Sequence, residues 1–556
     1  MTIYRLYFFV GLLFAIVGIF GACSDNSSDS GKSGLSISKL TGKSVRLDIV
    51  AGSESKEIED IIITCARKNA IEVKMHYSGS VDMMLALKKQ DFPHDAVLPA
   101  SSIWLRLGDQ EFRRVKEEAS IMRSPVGLGI KKPLAAELGW IDREVTASDI
   151  LEAVSSKRLN FAMTSATQSN SGFSSYIGML IALAGNPAVL TRDHLEQPEL
   201  QRDIKNLLAG VNRGSGSSGW LMHTFVDDYD RLDAMFNYES MIIAANRKLA
   251  ELRKEPLYVI YPVDGLAVAD STLGFIDKPN QSDNQKKKEA FIRLRDCLLT
   301  DPVQQQILER GFRAGLIGMN PDRAPREVYN PDWGINLNRT ISPIVWPDAA
   351  VTYEALTLYQ TAFRKPSLTV FAVDCSGSMK GEGLQDLKAA LTDLFDPQTA
   401  NRYLIQIGSG DIIMVIPFDN AFLWQQPLIV EGNKPADISR LIASIQSLYP
   451  RGKTNIYQPV AAAWQYFKSL GPDLNNYLPS VILMTDGQSN VGSLDELMAF
   501  WRKLKPEFEL PPVFCIMYGN ASDEQLKSLA KASYGRVFDG RHGGLNKAFR
   551  KAKGYN

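Results

Sequence analysis

The chain has few of the residues, and none of the short motifs, that identify common metalloenzymes and redox proteins. Of its 556 residues, 5 are histidine and 5 are cysteine. No HExxH string occurs, which argues against a common zinc hydrolase. The cysteines lack the close spacing of zinc and redox sites, and their number supports no disulfide framework. The sequence also lacks a phosphate loop and a nucleophile elbow, so we expect no enzymatic activity.

An excess of charge of either sign is also missing. Lysine plus arginine total 62, and aspartate plus glutamate total 62. A nucleic-acid partner held by bulk charge is therefore not expected. Hydrophobic residues make up 45% of the chain and charged residues 22%, which is typical of globular proteins. A length of 556 residues indicates two to four domains.

The longest apolar run lies at the N-terminus, over Leu6–Phe20, after a basic residue and before a small pair and Cys23. This order predicts a secretory signal. The small residues before Cys23 resemble the lipobox of bacterial lipoproteins, which implies a signal peptide over 1–22 and a lipid on Cys23. The serine- and glycine-rich segment 23–43 is then a flexible tether. The alternative is an uncleaved anchor helix; either way, we expect the body at the cell envelope, outside the cytoplasm.

Beyond the tether, short apolar strands such as Val45–Val50 and Ile71–His76 alternate with amphipathic helices such as Lys56–Asn69. This alternation predicts an α/β fold. A segment rich in proline, asparagine and aspartate then separates two such regions. The expected parts are a first α/β domain over 44–318, a connector over 319–365, and a doubly wound α/β domain over 366–556.

Oxygen-bearing side chains follow two predicted buried strands of the last domain, Leu368–Val373 and Val481–Met484. They are Asp374, Ser376 and Ser378 after the first strand, Asp486 after the second, and Thr454 shortly before a predicted helix. Open α/β sheets bind ligands in the loops beyond the carboxyl ends of their strands. Three hydroxyls and two carboxylates suit a hard cation such as Mg²⁺.

These five residues resemble the metal-ion-dependent adhesion site of von Willebrand factor A domains, a DxSxS string followed by a distant threonine and a distant aspartate. The resemblance implies that the two serines and Thr454 bind Mg²⁺, or another divalent cation such as Mn²⁺ or Ca²⁺, directly or through water. The aspartates act mostly through water, and the carboxylate of a partner protein completes the metal's shell. The alternative is a motif kept for folding, with Asp374 capping loops. Strand alternation directs Cys375 into the core.

In the first domain, several strands end in small hydroxyl residues beside a predicted helix start, where exposed N–H groups favour anions and polar ligands. The candidate ligand-binding residues are Ser53, Ser80, Ser171 and Tyr238, the last with Glu239 near the same cleft. The layout resembles the two-lobed extracellular solute-binding proteins that take oxyanions. In that resemblance, Ile121–Ile130 is the first crossover between lobes, and Leu257–Gly265 is the return. The alternatives are serines that only cap helices and a ligand-free relic of the fold.

The string from Gly214 to Gly219 matches GxGxxG, the dinucleotide fingerprint. We expect it to be a loop that lines the cleft, because the preceding segment Leu200–Ala209 is predicted to be a helix and the fingerprint requires a strand.

The sequence therefore predicts a lipid-anchored binding protein whose N-terminal lobes capture a small polar or anionic solute and whose C-terminal domain binds a protein through its metal. The alternative is a solute receptor that feeds an ABC transporter, with the A-type domain only docking it.

Overall fold

The computed structural model describes residues 44–315, 321–337, 342–421, 426–504, 508–519, 521, 523–541 and 544–555. The predicted signal peptide, the lipid on Cys23 and the tether lie outside these residues. Within the described part of the chain, no helix is both long enough and apolar enough to cross a membrane.

The first strands belong to a five-stranded sheet in the order β2-β1-β3-β11-β4, in which β1 is parallel to β2 and β3 and in which β11 (Thr272–Ile276) comes from later in the chain. A turn of 3₁₀ helix, Ser53–Ile58, precedes the first α-helix, so the predicted helix begins as a tighter coil. The elements are β1 (Val45–Ala51), α1 (Glu59–Lys68), β2 (Ile71–Tyr77), α2 (Ser80–Leu87), β3 (Ala96–Leu98), α3 (Ile103–Gly108) and β4 (Val115–Ser120).

The following segment forms a second, seven-stranded sheet built around β5 and β8, with two further strands beside β5. Its elements are β5 (Met122–Lys131), α4 (Lys132–Glu137), α5 (Ala147–Ser155), β6 (Phe161–Thr164), α6 (Asn170–Leu183), α7 (Arg192–Leu195), α8 (Pro198–Ala209), β7 (Val211–Ser215), α9 (Ser218–Asp227), β8 (Ala234–Tyr238), α10 (Glu239–Glu251), β9 (Leu257–Ile260) and β10 (Val268–Ala269).

The chain crosses between the sheets at Ile121 and returns just after β10. The N–H of Ile121 donates to the carbonyl of Ser271 at 3.1 Å, so the two crossovers run side by side. The predicted two-lobed α/β architecture and its first crossover are confirmed. The predicted return over Leu257–Gly265 is wrong, because Leu257–Ile260 is a strand of the second sheet paired with β5. The return is followed by β11 (Thr272–Ile276), α11 (Asn284–Leu298), α12 (Asp301–Glu309) and β12 (Arg313–Ala314).

A disulfide joins Cys65 of α1 to Cys297 of α11. The number of cysteines predicts no disulfide framework, and this single bridge was not predicted, because it joins two residues 232 positions apart that meet where α11 packs against α1. The sequence spacing carries no signal for such a contact.

The described part of the connector packs against the second sheet and its helices. Its helix α13 (Ala349–Leu358) continues as a π-helical turn, Tyr359–Phe363. Tyr176 of α6 donates its hydroxyl to the carbonyl of Ala355 at 2.8 Å. This segment is therefore fixed to the second lobe.

The C-terminal region forms a six-stranded sheet in the order β15-β14-β13-β16-β17-β18, parallel except for β15. Hydrophobic clusters cover both faces, which confirms the doubly wound prediction. The elements are β13 (Ser367–Asp374), α14 (Glu382–Phe395), α15 (Pro397–Arg402), β14 (Ile412–Phe418), β15 (Leu428–Glu431), α16 (Pro435–Gln446), α17 (Tyr457–Ser469), β16 (Leu478–Thr485), α18 (Leu494–Leu504), β17 (Val513–Met517), α19 (Asp523–Ala532), β18 (Val537–Asp539) and α20 (Leu545–Lys553).

Candidate metal centre and solute cleft

The five predicted metal-site residues lie at one edge of the C-terminal sheet. Strands β13 and β16 are parallel neighbours, with Val373 opposite Met484, so Asp374 and Asp486 leave the sheet side by side. Ser378 Oγ donates to Asp486 Oδ1 at 2.7 Å and lies 3.0 Å from Ser376 Oγ. These contacts link both strand ends through the DxSxS loop.

Thr454 reaches the same place from the loop before α17. A Cβ added to Gly487 would lie 3.3 Å from Ser378 Oγ and 3.6 Å from Thr454 Oγ1. A side chain at position 487 would crowd both hydroxyls, so the glycine keeps the space beside them open. All five predicted donors are therefore brought together.

The electrostatics of this cluster favour a cation. Burial raises the pKa of Asp374 to about 6, although Thr485 Oγ1 and the Ser376 N–H donate to its carboxylate at 2.5 and 2.7 Å. The neighbouring Asp486 charge adds to this rise, and burial also raises the pKa of Asp486. Two buried carboxylates held by neutral donors fit a divalent ion that would stabilise their charged forms.

The chemical type of the ligand atoms also indicates which kind of ion fits the site. No group of three or more histidine, cysteine, aspartate or glutamate residues converges in the described part of the chain. The cluster instead offers hydroxyl and carboxylate oxygens, the ligands of hard cations such as Mg²⁺. Cys375 lies between the ligand positions but is fully buried, as predicted, and burial raises the pKa of its thiol to about 12.

A cavity of about 430 Å³ lies between the two N-terminal sheets. Three of the four predicted ligand residues, Ser53, Ser80 and Tyr238, line it. Ser171 does not line it; this residue is fully buried one layer below. Its Oγ lies 2.8 Å from Ser218 Oγ and 2.8 Å from Thr164 Oγ1. The Ser171 hydroxyl therefore bonds to neighbouring side chains beneath the cavity lining and is not available to a ligand.

Three helices begin at the wall of this cavity. They are α2 after Gly79, α6 after Ser169 and α9 after Ser217, and the cap residues of α2 and α6 make no side-chain capping bond. The first N–H groups of a helix have no partner within it and favour negative charge. The cavity is therefore suited to an anionic or strongly polar group. Glycine is required at position 79, since a Cβ there would lie 2.4 Å from the Gln168 carbonyl.

The cavity also holds a carboxyl group that the sequence reasoning missed. Glu54 is 4% exposed and lines the cavity, and its Oε1 has no hydrogen-bond partner among the described residues. Burial raises the pKa of this carboxyl to about 7. Its place directly after Ser53, in a loop already singled out, was the only available signal.

Of the two residues Tyr238 and Glu239 predicted near the cleft, Glu239 does not line the cavity. Glu239 is fully buried, and its oxygens accept hydrogen bonds from Arg313 at 2.9 and 2.7 Å. The hydroxyl of Tyr261 also donates to it. Consecutive residues at the junction of β8 and α10 point in different directions, so only Tyr238 lines the cavity.

The prediction that no strand precedes the glycine-rich string Gly214–Gly219 is wrong. Gly214 lies in strand β7, and Ser218 begins α9, so the string does connect a strand to a helix. Gly216, Ser217 and Gly219 line the cavity, in agreement with the predicted loop at the cleft.

The sequence of the C-terminal region matches a known family. The family model for the von Willebrand factor type A domain matches residues 369–548. Residues 369–548 are a von Willebrand factor type A domain. A solved structure, "von Willebrand factor type A from Catenulispora acidiphila", is 20% identical with a TM-score of 0.28. The match covers 35% of this chain and 43% of that one, so the chain spans less than half of that structure. No curated protein sequence matches the chain.

Other solved structures are similar to the region before the A domain. The ferric binding protein from Campylobacter jejuni is 15% identical with a TM-score of 0.39, and the match covers 56% of this chain and 98% of that one. Iron-bound HitA from Pseudomonas aeruginosa is 15% identical with a TM-score of 0.40, over 56% and 98% of the two chains.

Proposed function

We propose that the protein is a membrane-anchored, extracytoplasmic binding protein that does no catalysis. Its N-terminal cleft captures a small polar or anionic solute, and its A domain binds another protein through a divalent metal. The observation that carries the proposal is the convergence of five oxygen donors at the carboxyl ends of β13 and β16, within a domain of the A family.

In this proposal Ser376, Ser378 and Thr454 hold Mg²⁺ directly or through water, while Asp374 and Asp486 act mainly through water and balance its charge. The bound metal supplies an electrophilic position that a carboxylate of the partner protein completes. The hydroxyls and helix N-termini around the 430 Å³ cavity support solute capture by the lobes.

The metal assignment predicts a gain in stability on adding the ion. With Mg²⁺ or Mn²⁺ at about 100 times its dissociation constant, the free energy of unfolding of the A domain should rise by about 2.7 kcal/mol. Asp374→Ala should abolish this gain and leave the fold intact, because strands β13 and β16 supply the buried core. The measurement is thermal unfolding of the full chain with and without the ion.

Asp495→Asn is the matched control, since Asp495 is an exposed carboxylate at the start of α18 in the same domain. This variant should keep the full gain. If millimolar Mg²⁺ and Mn²⁺ both leave the unfolding of the unmodified chain unchanged, the site binds no metal and the proposal is wrong.

The anchoring part of the proposal predicts that the mature chain begins at a lipid-modified Cys23. Mass spectrometry of protein extracted from membranes should show a diacylglyceryl adduct on this residue. Cys23→Ser should remove the adduct and leave the signal uncleaved. Recovery of unmodified protein that still begins at Met1 would contradict both the processing and the lipid.

A further inference from the structure

The A domain forms one wall of the solute cavity. Lys547, Lys551 and Tyr555, in or just after its last helix α20, and Arg536, just before β18, line the same space as Ser53 and Tyr238. The cavity therefore lies between three parts of the chain, the two N-terminal lobes and the A domain.

Specific contacts hold this wall against both lobes. Gln168 of the second lobe donates its Nε2 to the carbonyl of Arg550 at 2.6 Å. The guanidinium of Arg550 lies 3.6 Å from Asp82 of the first lobe. The Trp220 and Tyr555 rings meet edge to face, with centroids 4.9 Å apart. Helix α20 and the residue Tyr555 after it therefore contact both lobes where these line the cavity.

The glycine at position 216 allows this close approach. A Cβ on Gly216 would lie 2.6 Å from the Tyr555 ring. A larger residue there would push the A domain away from the cavity. The contact is thus part of how the lobes and the A domain fit together.

The wall brings three basic side chains, Arg536, Lys547 and Lys551, and one acidic side chain, Asp539, to the cavity lining. From the lobes, Lys56, Glu57 and Asp82 also line it. In the described part of the chain, neither Lys547 nor Lys551 has a carboxylate oxygen within 4.0 Å of its ammonium nitrogen. Lys551 is half-buried, and desolvation lowers the pKa of its ammonium group. The helix starts of α2 and α6 lie at the wall of the same cavity. An anion bound there would meet backbone N–H donors of the lobes and ammonium groups of the A domain.

A second observation points to a ligand independently of these charges. Glu54 is nine-tenths buried and lines the cavity, and its Oε1 has no partner among the described residues. A buried carboxyl oxygen without a hydrogen bond is costly. A hydroxyl or ammonium group on the ligand would supply the missing donor.

We propose that the cavity is a two-domain binding site for a small organic anion that also carries a hydroxyl or ammonium group. The anionic part lies between the helix N-termini of the lobes and Lys547 and Lys551 of the A domain, and the donor group faces Glu54. This inference rests on the proposed solute capture and extends it, because it makes the A domain part of the solute site.

The test is calorimetric titration of the full chain with phosphoserine, glycerol 3-phosphate and inorganic phosphate. At least one organic anion should bind, and Lys547→Gln with Lys551→Gln should weaken it at least tenfold, about 1.4 kcal/mol. Lys527→Gln is the control, since Lys527 pairs with Asp523 on the A-domain surface and does not line the cavity. Glu54→Gln should weaken the organic anions more than inorganic phosphate.

The outcomes separate this inference from the proposed function. If an organic anion binds equally well to the unmodified chain and to the double lysine variant, the A domain is not part of the site and only the inference fails. If none of the three anions binds at millimolar concentration, anion capture and the inference both fail. Lys547 is exposed, so Lys547→Gln alone retains the fold and should still weaken binding if the double variant does not fold.

Discussion

Replacing Cys65 with alanine and Cys297 with serine should lower the free energy of unfolding of the N-terminal lobes by about 2–5 kcal/mol. The two cysteines are 232 positions apart, so their bond restricts a long loop in the unfolded chain. It also ties α1 to α11 on the first sheet, where Cys65 is almost completely buried. Urea unfolding of the double variant and the unmodified chain measures the difference.

A reducing agent provides the control for this prediction. It should lower the stability of the unmodified chain to that of the double variant and leave the double variant unchanged. The free cysteines among the described residues, Cys375 and Cys515, are buried in the A domain, so within this part of the chain the reductant acts on the bridge. Equal stability of the oxidised and reduced chains would show that the bridge does not form. Its formation would agree with an oxidising compartment outside the cytoplasm.

The parts of the fold that the sequence predicts are those with strong local patterns. The predicted segments Leu368–Val373 and Val481–Met484 are runs of apolar and β-branched residues that lie within β13 (Ser367–Asp374) and β16 (Leu478–Thr485). Strands buried on both faces need such runs, so their signal lies within the strand itself. The five metal-site positions follow these strands, and their convergence could be predicted because parallel neighbours end at the same edge.

The remaining features depend on contacts between distant segments. The Cys65–Cys297 bridge requires knowing that α11 packs on α1. Strand β7 has the sequence VNRGS, which lacks the apolar pattern of a strand, yet it pairs with β6. The depth of Ser171 and the direction of Glu239 are likewise set by their neighbours. Local sequence reasoning finds the loops of the cleft but not which side chains reach the cavity.

The A-domain wall of the cavity is the clearest case of this limit. Tyr555 and Trp220 are 335 positions apart, and their ring contact joins two predicted domains. The predicted connector is also part of this junction, because Thr167 lies 3.3 Å from Gln360 at the end of the connector helix. Residues just before the A domain and residues at its end therefore both pack against the second lobe.

The ion pair between Arg364 and Asp411 fixes the start of that sheet, and Arg364→Met should destabilise the A domain by about 3–5 kcal/mol. Asp411 is 2% exposed and also accepts the N–H groups of Ser367 and Gly408, at 2.8 Å each. Without the guanidinium, a buried carboxylate would lose its charged partner where the connector enters β13. Chemical unfolding of the full chain at neutral pH measures the loss.

The matched control is Arg440→Met. Arg440 forms an exposed pair with Asp437 on α16, so this variant should lose less than about 1 kcal/mol of stability.

The pH dependence of the Arg364→Met effect shows whether the unpaired Asp411 carboxylate causes the loss of stability. Burial raises the pKa of Asp411, but the Arg364 charge and hydrogen bonds outweigh burial and hold it below its ordinary value. The pair's contribution is thus present above about pH 4 and is lost as the pH falls through the lower folded pKa. In Arg364→Met the unpaired carboxyl takes up a proton at higher pH, so the stability difference should narrow on acidification. A difference that stays constant from neutral to acidic pH would mean that lost packing, and not an unpaired charge, destabilises the variant.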